Sequence, residues 1–181
     1  KGIRPVPMDV KETYRFNWST PMLISPHDSR VVYYGGNRLF RTADRGQRWD
    51  VISPDLTKNQ DWKKLPLMGP ERSDDTLSRD DGVSDFGTIT TITESPVTAG
   101  VVYVGTDDGV VQVTPDGGKT WRDLTGRFKL AGPRWVSRVL ASRHGAGTAY
   151  VTFDGHQDDD SKPYIFRTTD QGATWTSIAG D

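Results

Sequence analysis

Thr114-Pro115-Asp116-Gly117-Gly118-Lys119-Thr120-Trp121 carries the pattern Ser/Thr-x-Asp-x-Gly-x-x-Trp, and the chain repeats it twice. The other copies are Thr42-Ala43-Asp44-Arg45-Gly46-Gln47-Arg48-Trp49 and Thr168-Thr169-Asp170-Gln171-Gly172-Ala173-Thr174-Trp175. An Asp in such a turn accepts hydrogen bonds from backbone N–H groups of its own loop, and a Gly supplies the positive φ that a side chain penalises. The turn needs no outside partner. The Trp opens the returning strand and brings a large apolar ring to neighbouring strands. Both roles are structural, so Asp44, Asp116 and Asp170 are turn residues and not candidate catalysts.

Working outward, the residues ahead of each turn also match. Val31-Val32-Tyr33-Tyr34-Gly35, Val101-Val102-Tyr103-Val104-Gly105 and Thr148-Ala149-Tyr150-Val151-Thr152-Phe153 are β-branched and aromatic runs of strand length. Each is followed by a second run, at 38–42, 110–114 and 164–168, that leads into the turn. A further strand precedes each pair, at 18–24, 87–94 and 135–142. Every unit thus reads as four antiparallel strands, with the Thr-to-Trp turn joining the third to the fourth. Units of this kind repeated along a chain are the blades of a propeller. The predicted fold is all-β, a β-propeller segment of three four-stranded antiparallel blades.

The turn pattern resembles the Asp-box, or BNR, repeat of sialidase-type propellers, xyloglucanases and sortilin-like receptors. The closer likeness is to bacterial sortilin-like and glycosyl-hydrolase BNR repeat proteins. It is carried by Tyr14-Arg15-Phe16-Asn17-Trp18, Ile24-Ser25-Pro26-His27-Asp28, Ile52-Ser53-Pro54-Asp55-Leu56-Thr57 and Gly105-Thr106-Asp107-Asp108-Gly109. The structural Asp-box positions are then Thr42, Asp44, Gly46, Trp49, Thr114, Asp116, Gly118, Trp121, Thr168, Asp170, Gly172 and Trp175. The resemblance implies a binding or hydrolytic propeller in a secreted or periplasmic setting.

Composition narrows the functions further. The 181 residues carry a net charge of −1, with 26% charged and 34% hydrophobic residues, and contain 19 Gly, 11 Pro and no Cys. That balance implies no nucleic-acid or membrane partner. The lack of Cys excludes disulfides, metal thiolates and a cysteine nucleophile. No Gly-rich phosphate loop, His-rich metal spacing or Ser-centred elbow occurs, so no cofactor is expected, and no metal in the leading reading.

Segment boundaries follow from the turns: 1–17 an extended arm or the remnant of a preceding blade, 18–53 blade one, 54–86 an insertion, 87–124 blade two, 125–134 a connection, and 135–181 blade three. Closed rings need about 4–8 blades. The remaining blades are therefore expected in cis or from another chain, a homo-oligomer included.

Antiparallel order puts the second-to-third hairpins and the inter-blade connections on the face opposite the Trp-bearing turns. That face is expected to gather Asp74, Asp75, Asp80, Asp81 and Asp85 from the insertion, Asp107 and Asp108 from one hairpin, and Asp154, His156, Asp158, Asp159 and Asp160 from another. The candidate ligand face is Asp85, Asp107, Asp108, Arg134, Trp135, Asp154 and His156. Asn17, Trp18 and Phe86 complete the expected funnel mouth, although Trp18 and Trp135 read first as packing residues. His27 and His144 read as turn residues.

Three readings of the acids stay open: ordinary turn formers, a Ca²⁺ site, or the carboxyl pair of a glycosidase, separated by about 5–5.5 Å or about 6.5–9.5 Å. The arginine cluster of a sialidase is not met, and the aspartate pair of a xyloglucanase cannot be matched by motif. The leading expectation is a non-catalytic module that presents loops to a protein or glycan. The alternative is a portion of a glycoside hydrolase using a carboxylate pair on this face.

Overall fold

The computed structural model describes residues 3–9, 11–61, 64–65 and 85–180. Within them the chain forms three four-stranded antiparallel sheets and no α-helix. Sheet one is β1 (Met22–Ile24), β2 (Val32–Gly35), β3 (Leu39–Thr42) and β4 (Asp50–Val51). Sheet two is β5 (Ile89–Glu94), β6 (Val102–Thr106), β7 (Val111–Thr114) and β8 (Arg122–Asp123). Sheet three is β9 (Trp135–Ala141), β10 (Ala149–Gly155), β11 (Asp160–Thr168) and β12 (Thr176–Ser177). In every sheet the strands lie side by side in chain order.

The register explains the burial. Side chains alternate faces along a strand, and in β10 they alternate buried and half-buried throughout. All five residues of β6 are buried, because sheet two is covered on both sides. Val102, Val104 and Ile89 pack against Tyr33, Leu39 and Leu56 of sheet one and its exit loop. Tyr103, Val111 and Val113 pack against Val136, Val151 and Phe166 of sheet three. Gly105 makes this close approach possible, since a Cβ there would lie 2.3 Å from Val136 Cγ1.

The three Trp-bearing turns are built alike. Thr42 Oγ1 donates to Asp44 Oδ1 at 2.8 Å and accepts the Gly46 N–H at 3.0 Å, while Asp44 Oδ1 takes the Arg48 N–H at 3.0 Å. The matching bonds in the second turn are 2.9, 2.8 and 2.9 Å, and in the third 2.7, 3.0 and 2.9 Å. The buried Thr hydroxyl is thus the centre of the turn. In the later two turns the +6 Thr hydroxyl also donates to the second carboxylate oxygen, at 2.7 and 2.6 Å. These bonds hold all three carboxyls below the ordinary range, Asp170 down to about 2 with the Thr174 hydroxyl contributing most.

Two corrections to the expected turn follow. The left-handed backbone spans two residues, with Arg45, Gly117 and Gln171 preceding Gly46, Gly118 and Gly172 at φ 64, 73, 56, 78, 97 and 82°. The three Trp side chains are half-buried rather than buried, because each lies at the outer margin of its sheet.

The indoles reach back to the segment that precedes their own sheet. Trp121 Nε1 donates to the Ile52 carbonyl at 3.0 Å, joining sheet two to the residue that leaves sheet one. Trp49 Nε1 donates in the same way to the Ile3 carbonyl at 2.6 Å. Trp175 packs on Phe128, with ring centroids 4.9 Å apart, but its Nε1 is buried without a hydrogen-bond partner among the described residues. The Leu124 carbonyl, which stands where Ile52 does, is already taken by the Arg127 N–H of the 3-10 turn Thr125–Arg127.

Candidate functional site

The face opposite the Trp-bearing turns collects the β2–β3, β6–β7 and β10–β11 hairpins with the connections between sheets. Asp74, Asp75, Asp80 and Asp81 lie outside the described residues. The other acids form three separate groups, each tied to neighbouring loops by its own hydrogen bonds.

Asp107 and Asp108 are both buried at the β6–β7 hairpin. Asp107 Oδ1 accepts the N–H groups of Gly87 and Thr88 at 3.0 and 2.7 Å, and its Oδ2 accepts the Thr88 hydroxyl at 2.6 Å. Burial, the largest influence, raises its pKa in spite of those bonds, and the neighbouring charge of Asp108 adds to the rise. Asp108 accepts from the Thr106 hydroxyl and from the Lys58 N–H. The pair pins the start of sheet two and the exit loop of sheet one to the hairpin.

Arg134 enters sheet three beside this hairpin. A Cβ on Gly109 would lie 2.8 Å from the Arg134 carbonyl. Its guanidinium pairs with Asp158 at 3.2 Å and Asp160 at 3.1 Å, and Tyr164 donates to the same Asp160 oxygen at 2.6 Å. The Tyr164 hydroxyl, the Lys162 N–H and Arg134 together hold the Asp160 carboxyl at about 2. Trp135 is half-buried and pairs in register with Asp154, whose carboxylate accepts the N–H and ring nitrogen of His156 at 2.9 and 2.6 Å. The Asp154–His156 pair is largely exposed.

The third group was only partly anticipated. Asp85 Oδ2 accepts the Phe16 N–H at 3.2 Å at the rim of an open cleft of about 580 Å³. Arg4, Phe16, Trp18, Tyr34 and Asp85 line it. Trp18 does not pack into sheet one as expected: β1 begins at Met22, and the indole is 92% exposed. The cause is local. Asn17 accepts the Ser19 N–H through Oδ1 and the Thr20 hydroxyl through its carbonyl, making a polar turn with Trp18 at its tip. Asn-x-Ser-Thr directly ahead of a strand was the available signal. Phe86 lies at the start of sheet two and does not line this cleft.

His27, expected in a turn, also bridges sheets, with Nε2 2.8 Å from the Ser95 carbonyl. Among the described residues no three His, Asp or Glu side chains gather as a metal site. No helix among them is long and apolar enough to cross a membrane.

No family model matches the chain. The xyloglucanase Xgh74A of Acetivibrio thermocellus is 26% identical over 170 residues, covering 87% of this chain but only 18% of its own length. An ancestral GH74 enzyme superposes on 94% of this chain and 20% of its own, with a TM-score of 0.59 at 12% identity. The GH74 xyloglucanase from Xanthomonas campestris covers 88% of this chain and 23% of its own, with a TM-score of 0.55 at 17% identity. What these likenesses establish is the fold, that of a fragment of a β-propeller related to those of GH74 proteins.

Proposed function

We propose that the three sheets are consecutive blades of an Asp-box propeller whose rim binds a glycan without cleaving it. The observation that carries this is the cleft beneath Trp18, where an indole 92% exposed stands beside Phe16, Tyr34, Arg4 and Asp85. A free aromatic face flanked by a cation and a carboxylate offers stacking and directional hydrogen bonds to a sugar ring. Asp107, Asp108, Asp154 and Asp160 are each taken up by nearby donors, which makes them framework rather than reagents. The similarity to xyloglucanases supports a polysaccharide ligand and an extracytoplasmic setting.

The alternative is a portion of a glycoside hydrolase. Asp107 favours it, because a carboxyl whose pKa is raised by burial suits a general acid. Both its oxygens are occupied, however, so reaching a glycosidic oxygen would require breaking the bonds to Thr88.

Calorimetric titration with xyloglucan oligosaccharides tests both readings. Binding that weakens at least about tenfold in Trp18→Ala, without release of reducing ends, supports the proposal. Release of reducing ends that Asp107→Asn abolishes would replace it with the hydrolase, and no saccharide binding would remove both.

A further inference from the structure

Arg4 brings to the Trp18 cleft a charge that no acid answers among the described residues. By contrast, Arg15 pairs with Asp55 at 3.0 Å, Arg38 with Glu12 at 3.0 Å, and Arg134 with Asp158 and Asp160 at 3.2 and 3.1 Å. Arg4 instead stands 5.6 Å from the centre of the Phe16 ring, a cation over an aromatic face. That contact uses none of its N–H groups. Asp85, the acid that lines the same cleft, makes no ion pair with it, and one of its oxygens takes the Phe16 N–H at 3.2 Å.

The position is built rather than loose. On one side of Arg4 the Ile3 carbonyl is held by Trp49 Nε1 at 2.6 Å, and on the other Pro5 is buried with its φ fixed by the ring. Beneath it, Phe16 lies against Tyr34 and Phe40, with ring centroids 5.6 and 5.9 Å apart. A guanidinium anchored in this way loses little freedom when it takes a ligand. Its planar fork matches a carboxylate through two parallel N–H···O bonds. The exposed Trp18 indole offers the flat apolar surface on which a pyranose ring can rest. The cleft, at about 580 Å³, has the size of a small-ligand site, roughly 300–1,000 Å³.

We infer that the cleft selects an acidic sugar: a uronic-acid residue stacks on Trp18 and presents its carboxylate to the Arg4 fork, while one of its hydroxyls donates to the second oxygen of Asp85. This rests on the glycan-binding reading above and names the class of glycan. A neutral sugar leaves Arg4 unpaired. Asp85 opposes the acid only through water, being exposed at the rim, whereas the contact to Arg4 is direct.

The test is calorimetric titration of the parent chain with trigalacturonate and with xylotriose bearing glucuronic acid, each against its own methyl ester, which keeps the sugar and removes the charge. In at least one pair the acid should bind about fivefold tighter or more, the upper range for a water-exposed ion pair. The ratio should shrink as salt is raised toward about 1 M, where charges are screened within about 3 Å. Arg4→Gln should bring the ratio to about one, Arg4→Lys should leave part of it, and Trp18→Ala should weaken both members of the pair. Arg4 and Trp18 are exposed, so each variant should melt within about 3 °C of the parent.

A ratio near one in both pairs, or a preference that survives Arg4→Gln, overturns the inference. If xyloglucan oligosaccharides bind while neither acid is preferred, the glycan reading stands and this one falls; if no saccharide binds the parent chain, the glycan reading falls first. Triglutamate bound as tightly as the acidic sugars, through Arg4 and without need of Trp18, would make the cleft a general anion site and overturn the sugar assignment.

Discussion

Arg15 Nη2 lies 3.0 Å from Asp55 Oδ2, and the pair joins the arm ahead of sheet one to the loop that leaves it. The same guanidinium donates to the Gly87 carbonyl, where sheet two begins, and to Asn59 and Thr57. Asp55 in turn accepts from Asn37 in the β2–β3 hairpin. Burial works against the Asp55 charge, but the bonds from Thr57 and Asn37 and the charge of Arg15 outweigh it and lower the pKa.

Arg15→Ala strands these acceptors, so it is expected to destabilise the protein by about 2–3 kcal/mol, less than for a fully buried pair because water reaches both groups. Arg15→Lys keeps the charge but not the fork, and should recover less than half of that loss. Chemical denaturation of the two variants checks the order.

The Trp-bearing turns allow a paired comparison. Trp121→Phe loses the bond to Ile52 and should cost about 1 kcal/mol beyond the change in packing. Trp175→Phe removes a buried N–H that has no hydrogen-bond partner among the described residues, and should be neutral or stabilising. Equal losses in the two variants, measured by urea titration, would contradict the assignment.

Glycine positions in the turns should differ in the same graded way. At Gly46 a Cβ meets nothing nearer than 3.4 Å, so Gly46→Ala costs only the left-handed backbone, about 1 kcal/mol. At Gly118 the same atom would lie 2.4 Å from the Ile52 carbonyl, forcing the two sheets apart. Gly118→Ala should therefore be the more damaging by at least about 1 kcal/mol, and thermal melts of both variants decide it.

Acid should act through the turn aspartates. Their folded pKa values lie below the unfolded value, so the stability they confer is present above about pH 4 and is lost as pH falls toward about 2, where Asp170 titrates. Tm should fall over that window, and less steeply in Asp170→Asn. At the alkaline end Tyr33 and Tyr103 are pushed up to about 12, chiefly by burial. The folded state then holds their protons longer, and stability should decline from about pH 10 to about 12.

The three sheets were legible because their signals are local. Each Thr-x-Asp-x-Gly-x-x-Trp turn, and each run such as Val101 to Gly105, sits within a few residues of what it controls. Even there Thr42, Thr114 and Thr168, though part of the pattern, carry no assigned role in the sequence reading, since an Asp draws attention as the acceptor while the Thr hydroxyl serves as both donor and acceptor. The candidate face was less legible. Residue types placed Asp107 and Arg134 on it but could not reveal that Thr88 and Asp160 would occupy them. Trp18 was misread as a packing residue because apolar character was weighed without the turn-forming Asn17, Ser19 and Thr20 around it.

With no side of β6 turned to water, sheet two is the keystone of the molecule. The amide protons of β6 are therefore expected to be the last to exchange, since layers cover it on both sides, whereas the outer layers can fray singly. Evolution can thus remodel the margins, where Trp18 and Tyr150 stand, with little risk to the framework, while almost any change inside Val102 to Thr106 would be felt at two junctions at once.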